Sequence, residues 1–237
     1  MSGHSKWANI KHRKERSDRK KGKIFSRIMK EVISAVKQNG PDPKSNSKLR
    51  AAILKAKEAN VPNENLERNI KKASSSDQQD FVEVTYELYG YGGVGIIVEG
   101  MTDNKNRIAS DIRIATNKCG GTIASPGSVA YNFDRKGVIR IPKANAVEDD
   151  LFLLATEAGA DDFFADDDYF VVMTKVENFP DVKQAIEKAG VRFDEAGLEM
   201  VPKTYVEVNE EDGNNNIALI EWLENLDDVD AVYHNMK

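Results

Sequence analysis

Phe81-Val82-Glu83-Val84-Thr85-Tyr86-Glu87-Leu88-Tyr89-Gly90-Tyr91-Gly92-Gly93-Val94-Gly95-Ile96-Ile97-Val98-Glu99 is the stretch on which the fold turns. Before it, apolar residues recur every three or four positions, as on one face of a helix. Within it, residues 81–88 and 94–99 are rich in Val, Ile, Thr and Tyr, the composition of strands. The five residues between them, Tyr89 to Gly93, form a glycine loop suited to a hairpin. Phosphate-cradling glycine loops lead from a strand into a helix, whereas a second strand follows here, so a turn is expected, with Tyr89 and Tyr91 covering a sheet edge. The shift of period near residue 80 separates a helical region from an α+β region.

Working downstream, Thr102 or Asp103 can cap a helix carrying Ile108, Ile112 and Ala115, ended by Gly120-Gly121, and residues 128–133 read as another strand. From about Arg135 the pattern runs strand (137–141), helix (147–158), strands (162–165 and 169–174), helix (180–189) and strand (199–201). This βαββαβ order is that of a ferredoxin-like sandwich. Residues 204–208, a helix at 217–226 and residues 231–234 are surplus to that unit and are expected to return to the first sheet. The expected fold class is therefore α+β: an amino-terminal three-helix domain followed by two α+β domains, the last ferredoxin-like. The expected division is a basic mobile arm (1–23), a helical bundle (24–73), a discontinuous middle domain (81–134 plus 204–237) and the ferredoxin-like unit (135–203), with residues 73–80 as a serine-containing linker.

Upstream, Ile24, Phe25, Ile28, Met29, Val32, Ile33 and Val36 recur at helical spacing until Gly40-Pro41-Asp42-Pro43. A second helix carries Leu49, Ala52, Ile53, Ala56 and Ala59, with its cap at Asn46 or Ser47. A short third helix follows Asn60-Val61-Pro62-Asn63 and points Leu66 and Ile70 inward. Ahead of all three lies Lys11-His12-Arg13-Lys14-Glu15-Arg16-Ser17-Asp18-Arg19-Lys20-Lys21-Gly22-Lys23, too densely cationic to pack into a core and read as a mobile arm.

The net charge of −5 conceals a strong partition. Residues 1–72 carry 20 Lys and Arg against 7 Asp and Glu, a net of +13; residues 73–143 balance at 8 of each; residues 144–237 carry 6 against 24, a net of −18. A cationic arm and bundle drive association with a polyanion by releasing condensed counterions. Trp7 and His12 add planar groups able to stack on an unpaired base. An acidic protein partner, or docking onto the chain's own acidic carboxyl-terminal block, is the alternative use of that charge. The acidic block in turn suits solubility or a basic protein partner.

Other chemistries find little support in the residues. Cys119 is the only cysteine, which excludes an intrachain disulfide or a multi-thiolate metal site and fits a reducing cytosol. Asp161-Asp162 and Asp166-Asp167-Asp168 lack the glycine and distal glutamate of an EF-hand loop, so no metal is expected. The three histidines, His4, His12 and His234, have no evident catalytic partners, and no cofactor fingerprint is present; the expectation is a protein without catalytic residues, metal or cofactor. Apolar runs such as 94–98 and 151–155 fall far short of a membrane span, and the first residues lack a secretory signal, so a cytoplasmic protein is expected.

Gly3-His4-Ser5-Lys6-Trp7-Ala8-Asn9-Ile10-Lys11-His12, with Asp18 and Gly22-Lys23-Ile24-Phe25, resembles the opening of the YebC/PmpR family. The likeness continues through Lys48-Leu49-Arg50-Ala51-Ala52-Ile53, Asn60-Val61-Pro62-Asn63-Glu64-Asn65-Leu66, Thr102-Asp103-Asn104-Lys105-Asn106-Arg107 and Gly127-Ser128-Val129-Ala130-Tyr131, so it spans nearly the whole chain. Tyr91 departs from the family's more usual proline. The resemblance implies a helical domain followed by two α+β domains. It also implies a probable DNA-binding transcriptional regulator, or, after the family's mitochondrial translational activators and bacterial members linked to ribosomes stalled on proline runs, a ribosome- or RNA-associated factor. By the same resemblance nucleic-acid contact is expected at Lys6, Lys11, His12, Arg13, Lys14, Arg16, Arg19, Lys20, Lys21 and Lys23, with Trp7 as a stacking group. Polar helix faces add Arg27, Lys30, Arg50 and Lys55.

Overall fold

Residues 13–75 and 80–237 are described by the structure, a computed structural model, with side chains from Gly22 onward. The chain opens with α1 (Arg13–Asn39), α2 (Ser47–Glu58) and α3 (Asn63–Ser74). Helix α1 begins eleven residues before the expected Ile24, so residues 13–23, expected in a mobile arm, continue the helix. Lys, Arg and Glu are good helix formers, they outnumber the weaker Ser17, Asp18 and Gly22 in the stretch, and no proline interrupts it. Residues 1–12 of the expected arm lie outside the described residues.

Ile28, Val32, Ala35 and Val36 of α1 pack with Leu49, Ala52 and Ala56 of α2 and with Leu66 and Ala73 of α3. Gly40, in the left-handed region at φ 84°, ends α1. Buried Asn46 joins the two helices. Its Oδ1 accepts from the Leu49 amide at 3.0 Å as an amino-terminal cap, while its Nδ2 donates to the carbonyls of Ala35 at 2.7 Å and Gly40 at 2.8 Å.

The rest of the chain runs β1 (Val82–Tyr89), β2 (Gly95–Thr102), α4 (Lys105–Cys119), β3 (Thr122–Ile123), β4 (Phe133–Pro142), α5 (Glu148–Glu157), β5 (Asp162–Ala165), β6 (Tyr169–Lys175), α6 (Phe179–Lys188), β7 (Glu195–Pro202), α7 (Glu210–Glu224) and β8 (Val229–His234). It makes two antiparallel four-stranded sheets, ordered β3-β1-β2-β8 and β5-β6-β4-β7. In the second, the fourth, first, third and second strands of the βαββαβ unit lie side by side, the ferredoxin-like order, with α5 and α6 supplying Leu151, Ala155, Val182 and Ile186 to its core. In the first sheet Leu88, Ile96 and Val98 face Ile108 and Ile112 of α4 and Leu219 and Leu223 of α7. The opposite face, through Ile97 and Tyr233, meets Val129, Phe133 and Met200.

Four local expectations need correction. The cap of α4 is neither Thr102 nor Asp103 but Asn104, whose side-chain oxygen accepts from the amides of Asn106 at 3.0 Å and Arg107 at 3.1 Å. Residues 128–133 are not a strand: a short 3-10 turn covers Ala130–Asn132, and the strand starts at Phe133. The cause is Glu87, whose buried carboxylate accepts from the amides of Gly127 (2.6 Å), Val129 (2.6 Å) and Ala130 (2.8 Å), taking those donors from any ladder. Burial pushes the Glu87 carboxyl up, and the three backbone amides outweigh it, so the group sits below its ordinary range. Residues 204–208 form no strand but one isolated bridge, Val206 with Met236. Helix α7 starts at Glu210, seven residues before the expected 217, because Asn209 caps the Asp212 amide at 2.9 Å and three acids occupy the first turn.

Candidate nucleic-acid interface

Lys23, Arg27 and Lys30 fall at i, i+4 and i+7 on α1 and so share one stripe of the helix. That stripe faces residues 226–230, the turn after α7 and the first residues of β8. The Lys23 ammonium donates to the carbonyls of Leu226, at 3.0 Å, and Val229. Arg27 donates to Asp230 at 2.5 Å and Glu31 at 3.1 Å, and also pairs with Glu83 on β1. Buried Lys30 donates to the carbonyls of Met101 at 2.8 Å and Asp227 at 3.1 Å, with the Asp228 carboxylate 3.8 Å away. Asp228 is also held by Arg107, whose Nε and Nη2 reach its two oxygens at 2.8 and 2.9 Å, and by the Thr102 hydroxyl at 2.9 Å.

Burial works on Lys23, Asp230 and Arg27 in this clamp. It lowers the Lys23 ammonium against the pull of Asp230 and Glu224, and it raises the Asp230 carboxyl against its bond to Arg27. The Arg27 guanidinium also loses hydration, but hydrogen bonds to Asp230 and Glu31 overcome that and hold it firmly charged. Lys23, Arg27 and Lys30 are thus engaged within the chain and are corrected as free phosphate ligands. Their sequence signature, a cation off the apolar stripe, is the same whether solvent or an acidic turn lies opposite.

The remaining candidates divide by position. Lys6, Trp7, Lys11 and His12 lie outside the described residues. Arg13, Lys14, Arg16, Arg19, Lys20 and Lys21 occupy the first turns of α1. Arg50 is exposed and donates to the carbonyl of Pro43 at 3.1 Å, so it braces the turn before α2. Lys55 is exposed and pairs with Glu31 at 2.8 Å. Sequence reasoning passed over other exposed cations of the same domain: Lys44, Lys48, Lys57, Arg68, Lys71 and Lys72. All are polar-face residues of α2, α3 or the preceding turn, and a helical wheel drawn over each segment would have found them.

The glycine loop is a structural turn. Buried Asn216 on α7 accepts from the Tyr91 amide at 2.8 Å and donates to the Tyr91 carbonyl at 3.1 Å, while a side chain at Gly90 would collide with Asn216. Asp166 likewise serves a turn, accepting from the amides of Asp168 and Tyr169 at 2.9 and 2.6 Å. Among the described residues no helix is long and apolar enough to cross a membrane.

Comparison with known proteins adds the family. The family model for the TACO1/YebC protein N-terminal domain matches residues 5–76, and that for the TACO1/YebC second and third domain matches residues 81–236. A probable transcriptional regulatory protein of Protochlamydia amoebophila is 64% identical over the whole chain and 97% of its own length. Another of that description from Chlamydia trachomatis serovar L2 is 60% identical over the full length of both. The crystal structure of a conserved hypothetical protein from Aquifex aeolicus superposes with a TM-score of 0.81 at 40% identity, over 98% of this chain and 97% of that one. By its sequence along nearly its whole length, the chain belongs to the TACO1/YebC family.

Proposed function

We propose that the protein is a non-enzymatic regulator of gene expression that binds DNA through the phosphate backbone, using the amino-terminal helical domain. The observation that carries this reading is the division of that domain's cations. One stripe of α1 is taken up by the 226–230 turn, while Lys44, Arg50, Lys57, Arg68, Lys71 and Lys72 face solvent in the same domain as the basic run 11–21. Exposed Lys and Arg spread over two helices suit contact with phosphates, which fixes position without reading bases. Relatives named probable transcriptional regulatory proteins support a regulatory role.

The test is fluorescence anisotropy with duplex DNA and single-stranded RNA of equal length across a salt series. Lys71→Glu with Lys72→Glu is expected to weaken DNA binding by at least about tenfold and to reduce the slope of log affinity against log salt by about 2. Tighter binding to RNA than to DNA transfers the same surface to an RNA-directed, translational role. Unchanged affinity for both removes the helical domain from the function.

A further inference from the structure

The region 144–174 contains nine Asp and Glu and no Lys or Arg. Helix α5 lies in it, and three large apolar residues are exposed there: Val147, 65% exposed, just before its first turn, and Phe152, 51%, and Leu153, 58%, along it. Acids in the first turn of α5 (Glu148, Asp149 and Asp150) are what the helix dipole favours, so charge alone explains nothing further. The apolar side chains among them have no such account. The core of the unit is already filled from α5 by Leu151 and Ala155.

Phe152 is also held in place. Its ring meets Phe163 edge-on at 5.5 Å, and Phe163 stacks on Phe170 at 5.8 Å, so a column of three rings runs from the buried sheet to the surface. Phe163 belongs to β5, an edge strand of its sheet. The result is a stiff apolar ridge, α5 against the β5 edge, set in an anionic field. Fixed aromatic anchors lose little freedom on binding, which is the usual character of an interface centre.

We propose that this ridge is a docking site for a cationic, amphipathic segment of another protein, one that seats apolar side chains against Val147, Phe152 and Leu153 and sets Lys or Arg against Asp149, Asp150 and Glu157. The field repels nucleic acid and anionic lipid, and the apolar ridge gives a small cation nothing to hold. A basic protein segment satisfies both halves of the surface. The site lies in a different domain from the proposed nucleic-acid surface and does not depend on it.

The probe is a fluorescein-labelled helical peptide of Lys and Leu at amphipathic spacing, titrated with the full chain at about 0.15 M salt. A companion peptide replaces every Leu by Ser and keeps the charge. The Lys/Leu peptide is expected to bind at least about tenfold more tightly than the Lys/Ser peptide, and Leu153→Ser in the protein is expected to remove that preference. Asp149→Asn with Asp150→Asn should weaken both peptides. Leu153 is more than half exposed, so its replacement leaves the fold intact; an unchanged circular-dichroism melt verifies this, and Val147→Ser gives a second variant outside the ring column. Equal binding of the two peptides, or a Lys/Leu preference that survives Leu153→Ser and Val147→Ser, overturns the proposal. Sedimentation of the chain alone separates a further outcome: self-association abolished by Leu153→Ser makes a second copy the occupant and also overturns it.

Discussion

Replacing Lys30 by methionine separates the two uses open to a cation on α1. The side chain is buried, and methionine keeps most of its aliphatic length, so the change removes chiefly the ammonium. Lost with it are two charge-assisted hydrogen bonds, to the carbonyls of Met101 and Asp227, and the ion contact with Asp228 at 3.8 Å. Such bonds contribute about 1.5 to 3 kcal/mol each, and methionine recovers part of that because it is easier to bury. Arg107 stays on Asp228, so that carboxylate is not left alone. The expected net loss is about 2 to 3 kcal/mol of unfolding free energy, read from urea denaturation, with Lys57→Met as the exposed control that changes by less than about 0.5 kcal/mol. Affinity for DNA is expected to fall no more than in that control. A Lys30→Met variant as stable as the native chain but several-fold weaker on DNA refutes the clamp and returns Lys30 to the ligand surface.

Two further outcomes follow from buried polar groups elsewhere. Glu87→Gln replaces a carboxylate that gathers three amides, and about 2 kcal/mol of stability should be lost at pH 7. Because the folded carboxyl lies below its ordinary value of 4.5, its contribution is complete above that value and is lost as pH falls through the lower folded value; the gap between the urea midpoints of native and variant should narrow as pH is taken below 4.5, and a gap that stays constant on acidification rejects the account. Asn216→Ala removes both bonds to the Tyr91 backbone and should cost about 2 kcal/mol, with hydrogen exchange accelerated at residues 90–94; an unaltered thermal melt and exchange pattern contradicts it.

Much of the fold was legible because it is written in local periodicity. The change of period near residue 80, the glycine hairpin and the βαββαβ order all reflect neighbours in sequence, and the return of the last strand to the first sheet followed from counting strands left over. What stayed hidden is carried by side chains acting over long separations. Glu87 turns a β-rich segment into a short turn 40 residues away, and nothing in 128–133 itself announces that its amides are claimed. For the candidate site, the charge partition pointed to the helical domain and even to docking on the acidic block as an alternative use. It did not show which cations dock, since the partners of Lys23, Arg27 and Lys30 lie about 200 residues on, in a turn whose facing helix is set only by the folded chain. The overlooked cations of α2 and α3 were visible on helical wheels, whereas which of them pair with an acid among the described residues was not.

Asn132 and Thr204 meet where the chain leaves the first sheet and where it comes back. The Asn132 side chain donates to the Thr204 carbonyl at 2.9 Å and accepts its amide at 3.1 Å, while the Asn132 carbonyl takes the Lys203 amide at 2.7 Å. The ends of the seventy-odd residues between them are therefore held together at a neck. For β2 to find β8 during folding, some 130 residues of chain must be bridged, but an intervening unit that closes on itself first collapses most of that contour to the width of the neck. The connectivity thus makes the inner unit a knot of fixed size on the string: once it has closed, the outer sheet has a shorter effective loop to span than the full contour.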